Sequence, residues 1–149
     1  MNVKIRNARH QDLDAMVALL QELFSIEADF DFDRNRQQRG LALMLDGCGK
    51  HRCVKVGEVD GGVVAMCTAQ ILVSTAEGAF SVMVEDMVVA EDMRGQGIGA
   101  ALLATVEAWA RQRGATRLQL LADRENLPAL AFYRKHGWHP TQLICLRKT

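Results

Sequence analysis

The chain is 149 residues long and 49% apolar, enough for one compact domain over residues 1–149 with a core of its own. Eighteen basic and eighteen acidic residues cancel, so no overall field recruits nucleic acid or an anionic membrane. No apolar stretch reaches the length of a bilayer span, and Met1 to Arg9 read as polar and basic rather than as a secretion signal.

Val3 to Arg6 alternate as a short strand. Asp12 is placed to cap a helix whose apolar stripe is Leu13, Met16, Val17, Leu20 and Phe24. Glu27 to Asp33 alternate acidic and aromatic residues and read as a loop, followed by a weaker helix from about Arg34 to Leu45. Arg52 to Val59 and Val63 to Val73 are strands, joined at Asp60-Gly61-Gly62, a hairpin turn signal. Phe80 to Val89 is a further strand. A helix then runs to about Arg113 and is closed by Gly114. Arg117 to Leu121 is a strand, and Asn126 to His136 a helix with Asn126 as cap, Pro128 in the first turn and Gly137 as stop. Thr141 to Arg147 read as a last strand. The order β-α-α-β-β-β-α-β-α-β predicts an α/β domain of the α+β type: a mixed, largely antiparallel sheet with one parallel crossover, flanked by about four helices.

Cys48, Cys53, Cys67 and Cys145 contain no C-x-x-C pair, and the last three lie in strand-like runs. That suits buried, reduced thiols in a cytoplasmic protein.

The informative stretch follows the apolar run Met87-Val88-Val89. After Glu91 to Arg94 come Gly95, Gly97 and Gly99 at alternate positions, and then the helical stripe Ile98, Ala101, Leu102, Thr105, Val106 and Trp109. Glycines let a ligand approach the backbone and tolerate unusual dihedrals. The N–H groups of Gly95, Gln96, Gly97, Ile98, Gly99 and Ala100 are predicted to face outward at a positive helix end, an anion site suited to a diphosphate. A nucleotide-hydrolysing P-loop needs Lys and Ser or Thr after its last glycine, whereas Ala100-Ala101 follow here. The dinucleotide fingerprint G-x-G-x-x-G/A is met by Gly95, Gly97 and Ala100, with Asp123 near the position of a ribose-binding acid. Against it, four residues separate strand from first glycine, and too little chain follows Asp123 for the remaining βαβ units.

Arg94-Gly95-Gln96-Gly97-Ile98-Gly99 resembles the R/Q-x-x-G-x-G/A motif of the GNAT N-acetyltransferases. Asn126-Leu127-Pro128-Ala129 with Phe132-Tyr133-Arg134-Lys135-His136-Gly137-Trp138 resembles that family's second motif, N-x-x-A-x-x-F-Y-x-x-x-G-F, with Trp in place of the final Phe. One helix and one strand separate the two motifs, and the element order is similar over nearly the whole chain.

The resemblance implies a GNAT-like fold, acetyl-CoA as co-substrate and transfer of an acetyl group to a primary amine by direct attack on the thioester. It places the pantetheine arm on the backbone of Met87, Val88 and Val89, with the Val89 N–H as donor to the thioester carbonyl and its oxyanion. The diphosphate falls to Arg94 and the backbone of Gly95 to Ala100. Asn126 matches an Asn touching the cofactor arm, and a plain helix cap is its other reading. Tyr133, the single tyrosine, matches an acid beside the CoA sulfur, with a core aromatic as the alternative. Glu85 is the base candidate, on the same strand face as Met87 and Val89 and opposite in parity to Asp86. Glu85-Asp86-Met87-Val88-Val89 also resembles the acidic pair of glucosamine-phosphate acetyltransferases, which makes Asp86 a candidate acceptor contact.

Cys48, His51 and Cys53 lack a recognised zinc spacing, so no metal is expected. Cys67 or Cys145 as an acetyl-carrying nucleophile would need an activated thiol, and inert cysteine is the simpler reading. For the acceptor, Arg34, Arg36 and Arg39 suit a sugar phosphate, whereas the acidic loop suits a polyamine or peptide amine. Partners are then a small-molecule or peptide amine, with neither nucleic acid nor membrane, and the resemblance admits a homodimer paired through a C-terminal strand. A non-catalytic acyl-CoA sensor of the same fold is the rival reading.

Overall fold

The computed structural model describes residues 2–27 and 29–149. Its strands are β1 (Val3–Asn7), β2 (Arg52–Val59), β3 (Gly62–Ser74), β4 (Ala79–Val89) and β5 (Ala115–Leu120). They form one sheet in that order, antiparallel except for the parallel pair β4–β5. The helices are α1 (Leu13–Ile26), α2 (Arg34–Asp46), α3 (Ile98–Gln112) and α4 (Leu127–Lys135). α3 is the crossover that returns the chain from β4 to β5, as a parallel pair requires.

Side-chain alternation along the strands builds two cores. On one face Cys53, Ala65, Cys67, Ala69, Val82 and Val84 meet Ile98, Leu102, Val106 and Trp109 of α3. On the other, Val54, Val56, Met66 and Val88 meet Met16, Val17, Leu20 and Leu23 of α1 and Leu41 of α2. Each large aliphatic side chain buried in these cores contributes about 2 kcal/mol by leaving water. The β2–β3 hairpin closes through Asp60 and Gly61, with φ of +50° and +80°, the two positive dihedrals of a turn whose twist matches its strands. At the end of α4, Gly137 at φ +89° donates to Arg134 O at 3.1 Å and Trp138 N–H to Tyr133 O at 3.0 Å. These two bonds satisfy the last carbonyls of the helix.

Three expectations are corrected. Thr141 to Arg147 form no strand: the segment has no ladder partner, and Leu143, Ile144 and Leu146 are 85%, 71% and 86% exposed. Local apolar character alone does not make a strand when no neighbour supplies hydrogen bonds. Cys145, which lies in it, is accordingly exposed rather than buried. Asp12 does not cap α1 with its side chain. It is buried and accepts from both Arg6 terminal nitrogens, at 2.7 and 3.0 Å, and from Arg9 N–H at 2.8 Å. The Arg6 guanidinium holds its carboxyl below the usual range.

Candidate active site

β4 runs beside β3 along its whole length but beside β5 only from Phe80 to Val84. Past Val84 the two parallel strands part and leave an opening. Ala90 N–H donates to Val64 O at 2.8 Å and Met66 is the partner of Val88. In an alternating antiparallel ladder the amides of Val88 and Ala90 therefore turn toward β3. Those of Met87 and Val89 turn into the opening. Val88, expected beside them, has its amide in the ladder and its side chain buried against α1. Arg94 lies along the same edge and donates from Nε to the Val89 carbonyl at 2.9 Å.

The glycine turn stands directly beyond. Gly95 and Gly97 adopt φ of +76° and +84°, a region that penalises any Cβ, and nothing lies within 4 Å above either. The first intrahelical bond of α3 runs from Ala101 N to Gly97 O at 3.1 Å. The N–H groups of Ile98, Gly99 and Ala100 precede it and have no partner in the helix. Gly99 serves packing instead. A Cβ there would stand 3.4 Å from Met87 Cε and from Phe132 Cζ, in close contact with the side chains of β4 and α4 that α3 meets at this point. The Ile98 side chain is core, and Gln96 is exposed.

A cavity fills the parting of the strands, lined by Glu27, Glu85, Met87, Asp123, Asn126 and Tyr133 among others. Tyr133 is half-buried, in edge-on contact with Phe132 at 5.3 Å and packed on Trp138 at 5.8 Å. Burial raises its phenol above the ordinary value of 10, with Cys67 and Glu27 adding to the effect, so it keeps its proton. Trp138 is itself fixed by a bond from Nε1 to Glu107 Oε1 at 3.1 Å. The Asn126 side chain accepts from Ala129 N–H at 3.2 Å, which is the helix cap.

Glu85 does not share a face with Met87. Cys67 is the partner of Met87 and Ala69 of Val84, so three steps on β4 match two on β3. This β-bulge inserts one residue and breaks the alternation: Val84 and Met87 both pack on the α3 side, with Glu85 and Asp86 between them. Glu85 is exposed at the cavity wall. Asp86 is half-buried and bonded twice to the fully buried Thr68. Burial raises the Asp86 carboxyl despite that bond, and Glu85 raises it further.

Glu27, at the C-terminal end of α1, is a cavity residue that sequence reading treats only as the first position of a loop. Burial raises its carboxyl, helped by Asp86, Asp123, Asp29 and Glu85. The signal available was its place directly after the apolar stripe of α1, which puts it at the edge of the sheet. Asp123, weighed as a ribose-binding acid, instead joins this wall.

Other candidates lie apart. Cys48 packs on the α1–α2 side of the sheet and Cys53 on the α3 side, so they do not converge. Burial pushes the Cys53 thiol up to about 12 and the Cys67 thiol well above its ordinary value, so neither supplies a thiolate. Arg34 pairs with Asp14 at 3.4 Å, and Arg36 and Arg39 are exposed on α2; none lines the cavity. Among the described residues no helix is long and apolar enough to cross a membrane.

Residues 13–138 match the family model described as the acetyltransferase (GNAT) family. The chain is 30% identical over 135 residues to the aminoalkylphosphonate N-acetyltransferase of Salmonella typhimurium, covering 91% of this chain and 84% of that one. It is 28% identical over 144 residues to an aminoglycoside N(6′)-acetyltransferase type 1 of Serratia marcescens, covering 94% of each. Among solved structures, a possible acetyltransferase from Clostridium difficile 630 superposes with a TM-score of 0.85 at 19% identity, over 100% of this chain and 98% of that one.

Proposed function

The chain belongs to the GNAT family of acetyltransferases, and from that premise we propose that it moves an acetyl group from acetyl-CoA to a primary amine. The observation that carries this reading is the alignment of open amides along one edge, from Met87 and Val89 to the start of α3. Pantetheine laid beside β4 supplies the ladder partner that β5 withdraws after Val84. The diphosphate then meets the N–H groups of Gly95 to Ala100, at the positive end of a helix of 15 residues.

In the reaction the uncharged amine attacks the thioester carbon, forming the C–N bond. The Val89 N–H donates to the oxyanion that develops. The amine proton passes to a carboxylate of the cavity wall, Glu85 directly or through water. As the C–S bond breaks, Tyr133 gives its proton to the departing sulfur, a role suited to a phenol that burial keeps protonated. The two relatives act, by their names, on an aminoalkylphosphonate and on an aminoglycoside, acceptors of opposite charge that demand opposite walls.

Thermal unfolding with acetyl-CoA or NAD tests the donor. Acetyl-CoA at 100 times its Kd stabilises the protein by about 2.7 kcal/mol, and NAD leaves it unchanged. Gly97→Asp places a carboxylate in the open space above the turn and abolishes that shift. A shift with NAD alone, or an equal acetyl-CoA shift in the variant, overturns the reading. A protein that binds acetyl-CoA but releases no thiol over a panel of amines is the sensor instead.

A further inference from the structure

We propose that the acceptor is a polyammonium compound, one carrying at least two protonated amines, and that Glu27 and Asp123 bind the positive charge that does not react. The inference rests on the acetyltransferase reading for its location and on the charge of the wall for its content.

Glu27, Glu85 and Asp123 reach the cavity from three separate elements: the end of α1, the β4 bulge and the loop after β5. Asp86 stands behind them, held by Thr68. Among the described residues the ion pairs are Arg6–Asp12, Arg6–Glu58, Arg34–Asp14 and Arg117–Glu77, and none involves these four carboxylates. Carboxylates gathered in a partly dry recess without a cation destabilise one another, and a ligand bearing ammonium groups relieves that repulsion on binding. An acceptor with a phosphate or phosphonate meets the reverse. The arginines that would hold such an anion lie on α2, away from the cavity lining.

The assigned reaction divides the roles of these groups, which all line one cavity. With Tyr133 as the acid and Glu85 as the base, the amine that reacts lies between those two. The second ammonium is left to Glu27 and Asp123. Glu27 is thus a specificity-determining residue whose loss weakens acceptor binding without touching the coenzyme edge.

The test uses the whole chain loaded with CoA for calorimetry and with acetyl-CoA for thiol release. The acceptors are spermidine, kanamycin, butylamine and 2-aminoethylphosphonate. Spermidine or kanamycin binds at least about tenfold more tightly than butylamine, and added salt weakens the binding. Glu27→Gln raises KM for that acceptor about tenfold with kcat and acetyl-CoA affinity nearly unchanged, and Glu27→Asp restores part of the loss. A preference for spermidine identifies a linear polyamine; a preference for kanamycin identifies an aminoglycoside. Equal use of butylamine, preference for 2-aminoethylphosphonate, or an unaltered KM in Glu27→Gln overturns the proposal and leaves the transferase reading standing. Polyamine binding that depends on Glu27 but yields no thiol release upholds the subsite and removes the reaction.

Discussion

Thr68 and Asp86 hold each other by two hydrogen bonds: the hydroxyl donates to Asp86 Oδ2 at 2.8 Å and accepts from the Asp86 N–H at 3.1 Å. The extra residue of a bulge leaves a backbone N–H outside the ladder, and here a side chain from the facing strand takes it up. The same contact fixes a carboxylate behind the cavity wall.

Thr68→Val keeps the shape of this fully buried side chain and removes both bonds. Loss of the partner for a buried amide and a buried carboxylate costs about 2 kcal/mol, read as a lower urea midpoint. Thr68→Ser retains the hydroxyl and loses less. Equal midpoints for the Val and Ser variants would show that the pair contributes nothing.

Tyr133→Phe removes one oxygen and leaves the packing on Phe132 and Trp138 in place. Thiol release falls about a hundredfold, whereas the Kd for acetyl-CoA stays within about twofold. Because the phenol titrates above its ordinary value of 10, the wild type shows no loss of kcat from this group as pH rises to about 9. Unchanged turnover in the variant would remove Tyr133 from the chemistry.

Asp12 makes stability depend on acid. Its folded carboxyl lies below the ordinary value of 3.8 through the Arg6 bond, followed by the Arg9 N–H. A depressed carboxyl stabilises the fold above the unfolded value, and that contribution is lost as pH falls through the folded value. Asp12→Asn leaves the Arg6 guanidinium, only 13% exposed, with Glu58 at 3.2 Å as its one remaining carboxylate among the described residues, and is less stable than wild type by about 2 kcal/mol at neutral pH. The gap narrows as pH falls from neutral into the acid range below the ordinary value of 3.8. Parallel denaturation curves at both ends of that range would contradict it.

The elements built from local rules were legible before the structure. Asp60-Gly61 demands positive φ at two successive residues, the stripe of α3 has one period throughout, and Gly95 and Gly97 occupy the left-handed turn that their type suggests. What depended on distant partners was not. The bulge at Glu85–Asp86 exists only against the register of β3, so strand parity put Glu85 on the wrong face. Thr141 to Arg147 look like a strand, but whether a ladder forms is decided by what lies alongside. Asp12 was drawn from capping into an ion pair by Arg6, which reaches it from β1. Glu27 was missed because its place in the cavity comes from the three elements that meet there, not from its own surroundings in the chain.

The recess thus has two halves of unlike material. One is main chain, whose N–H groups are the same whatever side chains the residues carry, and exchanging residues there alters shape without altering the donors. The other is three acidic side chains on independent elements, each open to single replacement. Under the proposed reading, selection on such a molecule can retune what is modified, residue by residue, while the choice of activated carrier stays locked in the polypeptide itself.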